Sequence, residues 1–154
     1  MSTQEHVFLD SAMSPLAIAE WFAPLLGMEI RAGAQGEVYL SRPARLAEGE
    51  VGGEVYPNFL ADPDAGVQDA SLIDDFPAVF DVGYTGRDEA VQDDEARALF
   101  AELSARVPIA MALVHGFDIL VGVSDAAHGL VWLPPGTTPD FRDRAAWERY
   151  RPSR

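Results

Sequence analysis

Apolar residues recur at two spacings along this chain, and the switches between them lay out the elements. His6-Val-Phe-Leu-Asp10 is a short strand pattern. Ser14 and Pro15 then supply the cap and first-turn proline of a helix start, and Gly27 the matching stop. Between them Ile18, Trp21, Phe22, Leu25 and Leu26 fall on one face at helical spacing, with Glu20 and Pro24 opposite. Pro24 costs a backbone bond, so the last turn is expected to be bent or irregular. Residues 28–31 and 37–41, joined by Gly33-Ala-Gln-Gly36, have the pattern of a hairpin.

The same β-α-β-β order returns after Pro77. A strand over 78–84 alternates Val79, Asp81 and Gly83 with Phe80, Val82 and Tyr84. A helix follows to about Arg106, with Asp88 and Glu89 at its positive end. Its inner face is Gln92, Ala96, Leu99, Phe100 and Leu103, and Pro108 blocks continuation. Residues 109–114 and 117–123 form a hairpin around His115-Gly116, and a last strand spans 130–133. The fold class is α+β: two β-α-β-β halves, forming a largely antiparallel sheet with two main helices on one face. No residue-level repeat links the halves, so they share an architecture rather than a demonstrated duplication.

The expected organisation is a single α+β domain over 1–133, with halves at 6–41 and 78–133 and an acidic connector at 42–77, then a tail at 134–154. A connector this long is more than a turn, and such loops are usually functional or partly disordered. Within it Val51 to Phe59 reads as an additional edge strand. The tail carries Arg142, Arg144, Arg149, Arg151 and Arg154 against three acids. It is expected to fold back on the acidic body through Trp147 and Tyr150.

With 154 residues, 48% hydrophobic and 23% charged, the chain suits one globular domain despite a net charge of −14. Cysteine is absent, which excludes a disulfide framework, thiolate zinc sites and a cysteine nucleophile. All eleven basic residues are arginine, a pattern that fits GC-rich coding bias better than salt adaptation, which would spread acids over the whole surface. The N-terminus lacks a basic region followed by an apolar run, so no secretory signal is expected. The longest apolar run, 107–114, falls well short of the ~20 residues that span a bilayer. The expectation is a cytoplasmic protein with no membrane partner.

Charge changes the picture most. Between Glu48 and Glu102 stand fifteen acids against Arg87 and Arg97, a local charge of −13. Such a segment repels phosphate, which argues against nucleic acid as a partner, and it recruits cationic proteins.

No motif points to catalysis. His6, His115 and His128 lack metal-ligand spacing, and a turn histidine bonding nearby backbone explains His115 and His128. Asp62-Pro-Asp64-Ala-Gly66 departs from a calcium loop, since Gly66 and Ile73 stand where ligands are needed. Gly122-Val-Ser124-Asp-Ala126 is a chance approximation of a nucleophile elbow, because a turn and strand follow it instead of a helix. Asp10 and Asp81, each in an otherwise apolar strand, are the best positions for a carboxyl raised for acid–base work. No cofactor, metal or catalytic residue is assigned.

The expectation is a non-catalytic, acidic protein-binding module that masks a basic partner, most concretely an immunity- or antitoxin-like inhibitor of a nuclease-type toxin. Its binding residues would be Glu54, Tyr56, Phe59, Asp62, Asp64, Asp69, Asp74, Asp75, Asp93 and Asp94, aromatic anchors set among carboxylates. The competing expectation is a small enzyme or small-molecule-binding domain, with a sheet–helix pocket lined by Trp21, Tyr84, Phe100, His115 and Asp118; a cleft holding His115 and two carboxylates would favour it. A third is a structural protein, with the edge strands offering a route to a homodimer.

Overall fold

In the computed structural model, which describes residues 4–152, the helix signals act where the sequence places them. Ser14 Oγ accepts the Ala17 N–H at 3.2 Å, Pro15 opens the first turn, and Gly27 closes α1 (Pro15–Leu26) in the left-handed region at φ 64°. Pro24 faces solvent, and the helix continues past it to Leu26. In α2 (Glu89–Arg106) the Asp88 carboxylate accepts the Ala90 and Val91 N–H groups. The expected inner face is buried, and Glu95 is buried with it.

Among the described residues eight strands form one sheet: β1 (Glu5–Leu9), β2 (Glu29–Ala32), β3 (Val38–Pro43), β4 (Glu50–Pro57), β5 (Ala78–Tyr84), β6 (Met111–His115), β7 (Ile119–Asp125) and β8 (Gly129–Trp132). Their order is β2-β3-β4-β5-β1-β6-β7-β8, with every neighbouring pair antiparallel. By parity β1 runs parallel to β2, and β5 parallel to β6, so each helix is a crossover between parallel strands. The α+β reading stands, with the two halves interleaved at the centre: β1 pairs with β5 and β6.

One strand differs in place from the sequence reading. The Val51–Phe59 segment supplies β4, which lies inside the sheet between β3 and β5. Val51 and Val55 face the core, and two glycines let the neighbouring backbones close in. At Gly52, φ is 147° and a Cβ would lie 1.9 Å from the Leu40 carbonyl oxygen; at Gly53 it would lie 2.4 Å from that of Asp81.

Both faces of the sheet are used. On the first, α1 and α2 pack on Val7, Leu9, Leu40, Val55, Phe80, Val82 and Leu113. On the second, Phe8, Val79, Ala112, Val114, Leu120 and Val123 are covered by Leu72 and Phe76 from the connector and Trp147 from the tail. The tail thus folds back, as the sequence suggests, and is tied to the connector by a bridge between Ser71 and Asp140 and by the Leu72 N–H to Pro139 carbonyl bond of 2.8 Å. No residue of β2 or β3 belongs to this second core, so among the described residues that half of the face is left open.

The tail also carries a carboxylate cap. Asp143 Oδ2 accepts the Thr138 N–H at 2.7 Å and the Thr138 hydroxyl at 2.8 Å. The Thr138 backbone bond, then its hydroxyl, hold this carboxyl below the usual aspartate range. A depressed folded-state value stabilises the fold above the ordinary aspartate range, and that contribution is lost as pH falls through the lowered value. Asp143→Asn is therefore expected to be less stable than the parent at neutral pH, with the deficit shrinking in acid. Urea midpoints measured across that range check this; a deficit constant with pH would refute it.

Candidate functional site

Alternation places the side chains of Arg31, Tyr39, Ser41, Glu54 and Tyr56 on the second face, with Tyr56 at the margin of the core that the connector and tail cover. Where Gly52 stands opposite Gly83, two neighbouring strands present no side chain at all. The result is a groove of about 680 Å³, floored by these glycines and flanked by Gln4, Tyr39, Ser41, Glu50 and Thr85. Arg31, in its lining, is loosely paired with Glu29 at 3.7 Å, both well exposed.

The same face continues along β4 from Gly52 through Glu54 to Tyr56, and then to Phe59 just past the end of that strand. Tyr56 donates its hydroxyl to Asp81 Oδ1 at 2.8 Å, and the same oxygen lies 2.5 Å from His6 Nδ1. His6 stacks on Phe117, with ring centroids 4.3 Å apart. Burial, and then the Asp81 carboxylate, push the Tyr56 phenol up, so it serves as a neutral donor. Burial, with the charges of Asp81 and Glu37, raises the Glu54 carboxyl. Tyr56 stacks on Phe59, which is 80% exposed. An aromatic ring held by a neighbour but bare to water is a ready anchor.

The ten residues singled out in the sequence divide into three groups. Glu54, Tyr56 and Phe59 share the open face, and Asp62, Asp64 and Asp69 are exposed on the connector beyond it. Asp74 and Asp75 turn inward. Asp74 accepts the Ser71 and Asp62 N–H groups at 2.9 and 3.0 Å, and Asp75 takes a two-pronged bond from Arg151 at 2.7 and 3.3 Å. Asp93 and Asp94 lie on α2, across the sheet from the other eight. Other acids of the −13 segment also have internal partners. Glu102 pairs with Arg42 and Arg45, while Glu95 accepts the Arg45 and Leu46 N–H groups.

Each of the three histidines meets a carboxylate: His6 with Asp81, His128 with Asp125, and His115 with two. His115 Nδ1 is bonded to Glu5 Oε1 and lies 3.4 Å from Asp93 Oδ1. Glu5 is 2% exposed, and its Oε2 accepts the Gln92 amide at 2.7 Å. Burial pushes the Glu5 carboxyl up, and the adjoining Asp93 carboxyl adds to this. Burial pulls the His115 imidazole down, but Glu5, Asp93 and Glu89 outweigh it and leave the ring above its ordinary value. These groups line a cavity of about 210 Å³ with Arg97, Pro135 and Gly136.

Of the five residues expected around a pocket, only His115 lines this cavity. Phe100 is core, Trp21 packs against it, Tyr84 borders the groove, and Asp118 is exposed in the turn after His115. The sequence reading missed Glu5, because it began the strand at His6. The alternation Glu5, Val7, Leu9 is the signal that faces Glu5 toward α2. The chain matches no family model, and no curated protein or solved structure is significantly similar to it.

Proposed function

We propose that this chain is an acidic protein-binding module that masks a basic partner, in the manner of an immunity or antitoxin protein inhibiting a nuclease-type toxin. The observation that carries the reading is the open half of the second face. There a glycine-floored groove leads past Tyr39, Glu54 and Tyr56 to the bare Phe59 ring and the exposed Asp62, Asp64 and Asp69. A cationic loop or strand laid along β4 meets carboxylates at the rim and aromatic rings at the centre, the arrangement that gives fast, specific association. The glycines leave room for a backbone to lie close to the sheet.

The test is kinetic. Association with basic nucleases, including any encoded beside this chain, is followed from low to physiological salt. The on-rate should fall steeply as salt rises, and the double variant Glu54→Arg/Asp62→Arg should slow it by about tenfold or more at low salt. An on-rate that ignores both salt and the charge reversal sinks the proposal.

A second reading, a small-molecule pocket at His115, is favoured by the convergence of Glu5 and Asp93 on that ring. At about 210 Å³ the cavity is smaller than the ~300–1,000 Å³ of most organic-ligand sites. That size suits an ion with a few waters.

A further inference from the structure

We propose that Glu5, Asp93 and His115 form a divalent-cation site of zinc type, opening into the cavity beside α2 and β6. The site lies across the sheet from the docking face and stands or falls independently of it.

Four observations converge. The three side chains each offer one ligand atom, all within 4.8 Å of one another. The 3.4 Å from His115 Nδ1 to Asp93 Oδ1 matches the edge of a tetrahedron around zinc, which is ~3.4 Å for ligands bound at about 2.1 Å. Glu5 Oε1 is hydrogen-bonded to the same imidazole nitrogen. Second, the half-exposed Asp93 carboxyl adjoins the buried Glu5 carboxyl, where like charges repel. A dication between them turns that repulsion into attraction.

Third, Gln92 is 3% exposed and turns its amide onto the cluster. Its Nε2 is spent on Glu5, while the Oε1 on the same amide carbon has no hydrogen-bond partner. A buried acceptor without a donor is costly, which leaves the Glu5–Gln92 contact incompletely satisfied among the described residues. The bond from Gln92 to the far oxygen of Glu5 is also the kind of outer contact that fixes a ligating carboxylate. Fourth, the adjoining cavity has space for waters on the open coordination positions.

One imidazole and two carboxylates, with no thiolate, form a borderline set that suits zinc ahead of calcium or magnesium, which prefer all-oxygen shells. Arg97 lines the same cavity, held over the Trp132 ring at 5.2 Å. Its charge opposes a bare dication and favours one that carries hydroxide or another small oxyanion.

To test this, zinc is titrated into the metal-stripped full chain against a chromogenic chelator that reports free metal. The expected result is one saturable zinc per chain, weakened by at least about tenfold in both Asp93→Asn and His115→Gln. Asp93 and His115 are only partly buried, so these variants should keep the fold, and matching circular dichroism confirms that they do. His128→Gln, which removes the exposed pair with Asp125, should bind zinc like the parent. Cobalt in place of zinc should give visible absorption that Asp93→Asn loses. The assignment is overturned if binding does not saturate near one equivalent, persists unchanged in the two ligand variants, or is lost in His128→Gln instead.

Discussion

Trp147→Ala is expected to destabilise the protein by ~3–5 kcal/mol, the usual cost of deleting a large buried aromatic. Trp147 is 1% exposed and fills the second core against residues from β1, β5, β6 and β7 and the connector. Its indole N–H donates to the Asp140 carbonyl at 3.1 Å, and the Arg151 guanidinium lies over the ring at 5.9 Å. Removing the ring leaves a cavity, orphans that carbonyl and frees Arg151 from one side of its bond to Asp75. A loss of this size should lower the melting temperature by about 10 °C in a chain of this length. Trp147→Phe, which keeps most of the apolar area and loses the N–H, should lie between the two. Urea or thermal unfolding measures all three. A Trp147→Ala deficit below about 1 kcal/mol would show that the tail contributes little to the fold.

Glu95→Ala is the second large effect, expected at ~3 kcal/mol or more. Glu95 is fully buried on α2, with Oε1 accepting the Arg45 and Leu46 N–H groups at 2.6 and 2.5 Å. It pins the turn between β3 and β4 to the helix. Alanine would leave two backbone donors without an acceptor, each costing ~1–3 kcal/mol, with some recovered if water reaches them. Glu95→Gln keeps an acceptor oxygen and should recover much of the loss. The discriminating measurement is hydrogen exchange at Arg45 and Leu46, which should quicken in Glu95→Ala well beyond any change in the sheet. Equal protection in parent and variant would refute the assignment.

How much of this was legible beforehand follows from the range of each interaction. Ser14, Pro15 and Gly27 fix α1 through bonds to residues three or four positions away, so local sequence suffices. The inner face of α2 follows from periodicity alone, with Glu95 as the exception. A buried glutamate is indistinguishable from a solvated one until the turn at 45–46 is known to lie beneath it. Val51 to Phe59 was recognisable as a strand but not as an interior one, because glycines weaken the usual pattern and its second neighbour is more than twenty residues on. The return of the tail was readable from its arginines and aromatics, though not the choice of Asp75 as partner to Arg151. The candidate binding residues were chosen by charge, which does not reveal the side of a sheet. That is why Asp93 and Asp94 part company with the rest, and why Glu5, one position before the expected strand, escaped notice.

The placement of β1 has a consequence for how the chain assembles. Residues 5–9 find their partners only near positions 78–82 and 111–115, so the first strand made is among the last to be satisfied. Such high contact order slows folding and leaves an apolar ribbon waiting on the nascent polypeptide. Neither half is therefore expected to fold alone. Cleavage within the connector should yield two pieces that hold their shape only together, a split protein whose reassembly is itself an assay for the native sheet.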